Sequence, residues 1–463
     1  MVVANKYKTL LSNTGLLLIG TFGSKMISFI MLPFYTTWLS IEDFGTSDII
    51  NVYSTVLVAI VSLCIAEAIF VVPAGRTHKD QQSFFTSSLL YGFVCAVVLL
   101  IFYIITYTLG EGSNSSFVLN IGYITLLSST TIFTSIAQQF CKCISRIRVF
   151  AIAGILNTFG VAILGFLLIK PWGLEGYVAS LVISNLFTFI YIIVAAGLFN
   201  YISFRLISWK YLFELLKYST PLVPNSIIWL IVSYANRPIM EATLGMAAIG
   251  LFSLANKFPT LINTVYNNFS NSWQISVLQE YGKDGYENFY NRICIIVFIG
   301  MCLCVSLVAI IITPVIHLFF NENYYSAIDY IPWLCLSCPF MALASIVGAN
   351  FSAIKKSKYF FYSSVWSAAT ALLLNVLLIP VMGLWGACIA NVISFAIGAF
   401  SRIYYSRNIA RLKCPDLYVL PISMTFLILL LQLLKAPIIV LVLIFTLEVL
   451  ICVAVFKHLK ISS

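Results

Sequence analysis

The chain has 463 residues, of which 61% are hydrophobic and only 9% are charged, and its mean hydropathy is +1.00. Soluble domains carry roughly 25% charged residues, so this composition excludes a soluble globular protein and requires lipid to cover apolar helix surfaces. The formal net charge of +10 comes from basic residues dispersed over many short loops, which argues against a nucleic-acid-binding surface.

Apolar segments long enough to cross a bilayer recur along the whole chain. A spanning helix needs about 20 apolar residues, so the segments predict an all-α integral membrane protein with about fourteen transmembrane helices. The predicted spans are residues 14–36, 47–72, 84–108, 117–140, 149–169, 174–199, 221–241, 247–273, 293–320, 329–352, 359–380, 383–404, 416–434 and 436–456.

Lys and Arg are distributed unevenly over the loops between these spans. With the N-terminus inside, 21 of the 26 basic residues lie in inner loops or termini, two lie in outer loops and three lie within spans. Cytoplasmic loops carry an excess of Lys and Arg. The asymmetry therefore predicts an even number of helices and places both termini in the cytoplasm.

Short segments of the first half recur in the second half at offsets of 205 to 210 residues. Six helices separate the copies, so the predicted repeat is parallel, with a pseudo-two-fold axis along the membrane normal. Lobes that face each other across a central site are typical of transporters. The matched pairs are Leu39–Gly45 with Leu244–Gly250, Arg146–Phe150 with Lys356–Phe360, and Gly173–Gly176 with Gly383–Gly386.

The repeat divides the chain into four predicted parts. Residues 1–199 form an N-lobe of helices 1–6, 200–220 a connector, 221–410 a C-lobe of helices 7–12, and 411–463 an additional helix pair, 13 and 14. The connector is predicted to be an amphipathic interfacial helix. Its apolar side chains are Leu206, Trp209, Leu212, Phe213 and Leu216, and its charged ones are Lys210, Glu214 and Lys217.

Charged side chains inside a bilayer cost several kcal/mol when unpaired, so those within spans are functional candidates. Lys25 in helix 1, Arg237 in helix 7 and Lys257 in helix 8 could face one cavity that binds an anion. Two alternatives stay open: the Lys25 stem could reach an interface, and Arg237 could pair locally with Glu241, four residues later.

Two acidic residues are candidates for coupling transport to an ion. Glu67, near the inner end of helix 2, is the stronger candidate for proton or sodium coupling, and Glu241 is a weaker one. Glu67 could equally be a glutamate at the membrane interface whose side chain reaches water and has no role in coupling. Glu448 is another weak candidate because it lies in the additional helix pair. Polar residues such as Asn51 and Asn157 either line the path or bind neighbouring helices.

Several motifs resemble those of polysaccharide-exporter flippases of the Wzx type, which share the MOP superfamily with multidrug MATE exporters and lipid II flippases. The resemblance covers roughly residues 10–410. Two features depart from the family pattern: Asn236 stands where an aspartate is common, and two helices follow the twelfth. The motifs are Lys25 with Pro33, Leu39–Gly45, Tyr218–Pro221, Asn236–Arg237, Gly250–Lys257, Phe269 with Trp273, and Gly383–Ala387.

The resemblance implies a flippase in the bacterial inner membrane. It would move a polyprenyl-pyrophosphate-linked oligosaccharide from the inner to the outer leaflet, for O-antigen, capsule or exopolysaccharide synthesis. The implied partners are this lipid-linked substrate, the lipid bilayer and other polysaccharide assembly proteins, with no nucleic acid. In this interpretation Lys25, Arg237 and Lys257 bind the pyrophosphate.

Three other functions compete with this one. A proton- or sodium-coupled drug or metabolite antiporter of the same superfamily would favour buried carboxylates over three buried cations. A membrane enzyme would need a sizeable outer loop or a catalytic cluster, and a scaffold subunit would not need intramembrane charges. We find no phosphate-binding Gly-rich loop and no catalytic arrangement of the three histidines. We therefore expect no enzymatic activity, no cofactor and no metal site.

Overall fold

The computed structural model of the chain describes residues 23–110, 115–354, 358–412 and 416–461. Residues 14–22 of the first predicted span, Lys355 and Lys356 lie outside this part. In the described part the regular structure is helical, without strands. The α-helices are α1 (Leu32–Trp38), α2 (Ile41–Val61), α3 (Ile65–Val71), α4 (His78–Leu109), α5 (Ser116–Leu119), α6 (Ile121–Cys143), α7 (Ile147–Ala195), α8 (Trp209–Ser219), α9 (Val223–Tyr234), α10 (Asn236–Thr243), α11 (Met246–Glu280), α12 (Tyr286–Phe319), α13 (Ala327–Cys335), α14 (Ser337–Ala353), α15 (Lys358–Met382), α16 (Leu384–Ser406), α17 (Asp416–Leu433) and α18 (Ile438–Ile461).

The helices match the predicted spans. Among the described residues, eight helices are long and apolar enough to cross a membrane by length and composition, and Leu417–Leu433 and Ile438–Val453 are shorter apolar helices. The 49 residues of α7 cover two predicted spans, and every predicted span overlaps a described helix. The prediction of an all-α integral membrane protein is confirmed.

Helices α2 and α4 begin where the sequence supplies a capping side chain. The hydroxyl oxygen of Ser40 accepts a hydrogen bond from the backbone N–H of Asp43 at 3.0 Å, and Thr77 accepts one from Asp80 at 3.3 Å. These bonds satisfy donors that have no partner within the first turn, and the acidic side chains favour the positive end of the helix.

A glycine turn recurs at equivalent positions of the two halves. Gly173 has φ 52° and ψ −127° inside α7, and Gly383, 210 residues later, has φ 61° and ψ −136° just before α16. Such positive φ values favour glycine because it has no Cβ. The repeated sequence Gly-Leu-x-Gly therefore builds the same turn between two antiparallel helices in both halves.

The second glycine of each motif permits close packing after the turn. A Cβ atom on Gly176 would lie 2.1 Å from the Leu168 carbonyl oxygen, and one on Gly386 would lie 2.3 Å from that of Leu378. Both distances are far inside van der Waals contact. The two copies thus share a local backbone arrangement as well as a sequence pattern.

The chain divides into two compact units, Met1–Leu230 and Ile231–Ser463. In the first unit a buried aromatic cluster joins α4 to α6, with the rings of Phe85 and Phe140 stacked at 4.4 Å. The amphipathic helix α8 packs on α3 and α4. Its Leu212 and Leu215 are buried and its Trp209 is exposed; its position at the membrane interface stays a prediction.

The second unit is built around α12. Its buried core includes Trp273 of α11, Tyr290 and Phe298 of α12, and Ile346 of α14. Helix α17 packs on α12, and α18 packs on both α12 and α17. The two additional helices are therefore part of the packed second unit.

Candidate functional site: charged side chains within the spans

Arg237 is a buried cation at the start of α10. Only 2% of the residue is exposed. Its Nη1 donates hydrogen bonds to the side-chain oxygen of Asn236 at 2.7 Å and to the carbonyl oxygen of Ser233 at 3.1 Å. Asn236 thus supplies an acceptor where the family commonly has an acid. Because the amide is neutral, this bond orients the guanidinium group without cancelling its charge.

Two aromatic rings complete the surroundings of Arg237. Its guanidinium carbon lies 4.9 Å from the ring centroid of Phe252 in α11 and 5.5 Å from that of Tyr234 in α9. Both separations are in the range of cation–π attraction. The contacts fix the guanidinium between α9, α10 and α11.

Lys257 lies on the same helix as the ring that contacts Arg237. It occupies an exposed position of α11, five residues after Phe252 and so about 7.5 Å farther along the helix axis. The neighbouring Ala255 and Phe258 are buried. Helix α11 continues through Pro259 to Glu280. The second unit therefore carries two of the three predicted cations on adjoining elements.

Lys25 belongs to the first unit. It lies on the helical segment 23–30 that precedes α1, and its side chain is exposed. Its convergence with Arg237 and Lys257 on one cavity stays a prediction. The predicted coupling roles of Glu67 and Glu241 also stay predictions.

Glu67 follows a break in the second predicted span. Leu63 and Cys64 have φ values of 49° and 56°, so the helical hydrogen-bond pattern restarts at Ile65. Glu67 is exposed in the first turn of α3, within electrostatic range of Lys142. A charge at a helix restart can be reached by water more easily than one inside a continuous apolar helix.

Glu241 lies one turn after Arg237 on α10 and is half-buried. The polar residues Asn51 and Asn157 bind neighbouring helices. Asn51 donates to the Tyr177 hydroxyl at 3.1 Å, and Asn157 donates to the Asn185 side-chain oxygen at 3.0 Å. These bonds join α2 to α7 and the two arms of α7 to each other.

Sequence analysis missed one buried cation. It assigns Arg402 to an inner loop, but the structure places it inside α16 with only 8% of the residue exposed. Its Nη1 donates to the carbonyl oxygen of Ala344 at 2.9 Å and its Nε to the Ser363 hydroxyl at 3.2 Å. The guanidinium carbon lies 5.1 Å from the Phe360 ring centroid. Residue 402 already lies within the predicted span 383–404, but its positive charge was counted with the inner loop that follows.

Comparisons of sequence match the chain to two protein families. Residues 10–273 match the family described as "Polysaccharide biosynthesis protein", and residues 239–381 match the MatE family. A search of curated protein sequences gives no match.

Solved structures share the fold at low sequence identity. The lipid II flippase MurJ in an inward closed conformation matches with a TM-score of 0.75 and 17% identity, over 96% of this chain and 99% of that chain. An inward-facing multidrug resistance MATE family transporter of the MOP superfamily matches with a TM-score of 0.67 and 15% identity, over 83% of this chain and 94% of that chain. A MOP superfamily transporter from Pyrococcus furiosus matches with a TM-score of 0.60 and 15% identity, over 85% of this chain and 96% of that chain.

These features define a multi-pass membrane protein with the fold of the MOP superfamily. The polysaccharide biosynthesis match spans more than half of the 463 residues. The chain belongs to that polysaccharide biosynthesis protein family.

Proposed function

We propose that this protein is a flippase that moves a polyprenyl-pyrophosphate-linked oligosaccharide from the inner to the outer leaflet of a bacterial inner membrane. The product would be used for a surface polysaccharide such as O-antigen, capsule or exopolysaccharide. Membership of the polysaccharide biosynthesis family supports the substrate class. The likeness to a lipid II flippase supports a fold that can move a lipid-linked headgroup from one leaflet to the other.

The observation that carries the proposal is the burial of Arg237, a cation held in place by Asn236 and by the rings of Phe252 and Tyr234. A pyrophosphate with attached sugars cannot cross hydrocarbon unaided, because its charges and hydroxyls would lose water without replacement. A guanidinium held by Asn236 and Phe252 offers oriented donors to phosphate oxygens. Lys25 and Lys257 would add point charges along the route while the polyprenyl tail stays in lipid.

A proton- or sodium-coupled antiporter of the same superfamily is the second candidate. The match of residues 239–381 to the MatE family and the likeness to multidrug transporters favour it. An exporter of cationic compounds gains nothing from a buried guanidinium in its path, because like charges repel. The charge of Arg237 therefore favours the anionic lipid.

The test is translocation of a labelled polyprenyl-pyrophosphate oligosaccharide in proteoliposomes by the native chain, Arg237→Ala, Arg237→Lys and Lys25→Ala. We expect little or no translocation by either alanine variant. Lysine at 237 keeps the charge but loses the planar donors, and we expect roughly tenfold slower translocation, or about 1.4 kcal/mol.

The matched control is Arg205, an exposed arginine in the 3₁₀ turn Phe204–Leu206. Arg205→Ala and Arg205→Lys should translocate at the native rate. Equal rates for the folded Arg237 and Arg205 variants would contradict the assigned role of Arg237. Transport of small cations, with none of a panel of lipid-linked sugars moved, would establish the antiporter instead.

A further inference from the structure

Three polar side chains meet deep inside the apolar packing of α12, α17 and α18. Ser306, Thr425 and Glu448 each have 0% of their surface exposed. The Thr425 hydroxyl oxygen lies 3.0 Å from Glu448 Oε1 and 3.4 Å from the Ser306 hydroxyl oxygen. The other Glu448 oxygen, Oε2, is buried without a hydrogen-bond partner.

The surroundings of Glu448 favour the neutral carboxylic acid over the carboxylate. Within the described part of the chain no Lys, Arg or His forms an ion pair with Glu448. An unpaired carboxylate loses its hydration in such an apolar site, whereas the neutral acid loses much less. Two thiols lie within electrostatic range of Glu448, that of Cys302 on α12 and that of Cys452 one turn later on α18. On α17 no titratable residue lies within a turn of Thr425.

The hydrogen-bond geometry accommodates both protonation states. Thr425 carries one hydroxyl hydrogen and has two acceptors at 3.0 Å, the Pro421 carbonyl oxygen and Glu448 Oε1. When Glu448 is neutral, its O–H donates to Thr425, and Thr425 donates to Pro421. When Glu448 is ionised, the threonine hydroxyl rotates to donate to the carboxylate. One proton thus reverses the direction of the Thr425–Glu448 hydrogen bond, while Oε2 stays without a partner in the structure.

A cavity of about 560 Å³ opens along the same three helices. Its polar lining consists largely of His317, Asp329, Gln432 and Lys435. In the predicted topology Lys435 belongs to an outer loop, so the cavity lies on the outer side of the membrane. Gln432 is buried, and its side-chain oxygen has no hydrogen-bond partner, so this acceptor is available to a water molecule.

The cavity reaches to within about one helical turn of Ser306 and about two turns of Glu448. Its lining includes Ile310, four residues from Ser306, and Leu441, seven residues from Glu448. These spacings correspond to about 6 Å and about 10 Å along the helix axes. Both offsets place the cavity at the end of the cluster that faces the outer side.

We propose that Glu448 is a proton-binding site that exchanges with the outer aqueous side through this cavity. The carboxylate takes one proton from a hydronium ion and releases water, and the reverse step returns it. This assigns proton exchange to the additional helix pair, in contrast to the predicted coupling roles of Glu67 and Glu241. The assignment does not depend on which substrate the protein moves.

The test is labelling of the native protein with dicyclohexylcarbodiimide, an apolar reagent that attacks a protonated carboxyl group. The protein is reconstituted in proteoliposomes, incubated over a series of pH values, and analysed by mass spectrometry of the peptide that contains Glu448. We expect modification of Glu448 to slow by about tenfold per pH unit on the alkaline side of the series, as its protonated fraction falls. Glu448→Gln should abolish labelling of that peptide.

The control is Glu322, an exposed glutamate in the 3₁₀ turn Glu322–Tyr324 of the same unit. It should be labelled far less than Glu448, because the apolar reagent concentrates in the membrane interior and Glu322 lies in an exposed turn. A Glu448 labelling rate that does not change with pH overturns the proposal, since the residue would be a permanently neutral structural acid. Protection by sodium at constant pH also overturns it in favour of a metal-cation site. The native protein alone decides these outcomes, so the folding of the variant does not limit the test.

A second measurement addresses exchange from the outer side. Thr313 lines the cavity, and Thr313→Trp should fill it without changing Glu448. Acid is added only on the side of the membrane that holds Lys435, in the loop between α17 and α18. Under this condition we expect labelling of Glu448 to be at least tenfold slower in the variant than in the native protein. An unchanged rate would mean that protons reach Glu448 by another route.

Discussion

Two buried arginines of this protein share the same kinds of contact. Arg237 and Arg402 are both buried, and each combines a backbone carbonyl bond, a neutral side-chain oxygen and an aromatic ring. In an apolar medium such partners replace part of the lost hydration. The two differ in position: Arg237 belongs to the short helix α10, whereas Arg402 ties α16 to α14 and α15.

The contacts of Arg402 predict a structural role. Arg402→Ala removes its bonds to Ala344 and Ser363 and its packing on Phe360, and we expect the free energy of unfolding to fall by about 2 kcal/mol. The measurement is thermal unfolding in detergent.

The control for this prediction is another arginine of the same segment. Arg407 is exposed and lies over Tyr404 at 4.4 Å, so Arg407→Ala should change stability by less than about 0.5 kcal/mol. Equal melting temperatures for the two variants would show that Arg402 contributes no structural stability.

Residue-scale burial was the hardest property to predict from sequence. Arg402 stands only two residues before the end of the apolar run at 404, so it was counted with the loop. Glu448 belongs to a helix that is apolar on every side, and such a helix carries no pattern that shows which face packs on protein. Only the packing of α18 on α12 and α17 reveals that Glu448 faces inward.

At the scale of elements, the glycine turns were predictable. The Gly-Leu-x-Gly motif occurs twice at an offset of 210 residues, and its first glycine permits the positive φ that the turn needs. The structure shows the same turn in both halves. The break at Leu63–Cys64 was not predictable, because neither residue type favours positive φ. The division of α9 from α10 at Ala235 does have a sequence signal, because Pro238 cannot donate to the carbonyl oxygen of Tyr234 four residues earlier.

Because the backbone is closely packed after each turn, we expect an added methyl group to destabilise the protein similarly at Gly176 and at Gly386. Gly176→Ala and Gly386→Ala would place a Cβ almost on a carbonyl oxygen, so we expect each to lower the free energy of unfolding by at least about 2 kcal/mol. Thermal unfolding of the detergent-solubilised variants measures this.

Glycines in open surroundings provide the control. A Cβ on Gly154 or Gly300 would meet no atom within 4 Å, and both lie in helices. Alanine there should be neutral or stabilising by up to about 1 kcal/mol, because glycine disfavours helix. Destabilisation of all four variants alike would mean that the turns have no special packing.

At the scale of the whole molecule, composition and loop charges predict a fourteen-helix chain with both termini in the cytoplasm. Glu322 follows α12 in a predicted outer loop, and Lys283 precedes α12 in a predicted inner loop; both are exposed. In a background without native cysteines, Glu322→Cys should react with a membrane-impermeant maleimide in intact cells. Lys283→Cys should react only after the membrane is made permeable.

Reaction of Lys283→Cys in intact cells, and of Glu322→Cys only in permeable ones, would show that the orientation is the reverse of the predicted one. It would also place the cavity beside Glu448 on the cytoplasmic side and reverse the direction from which its proton is expected to enter. Labelling of both positions in intact cells would contradict the assignment of α12 as a membrane span.

The central claim is that this chain moves an anionic lipid-linked sugar. The most direct measurement uses the native protein in proteoliposomes that contain a labelled polyprenyl-pyrophosphate oligosaccharide and a fluorescent organic cation. We predict that the lipid appears in the opposite leaflet while the cation stays at its starting concentration. Proton-driven movement of the cation, with the lipid left in its original leaflet, would contradict the claim.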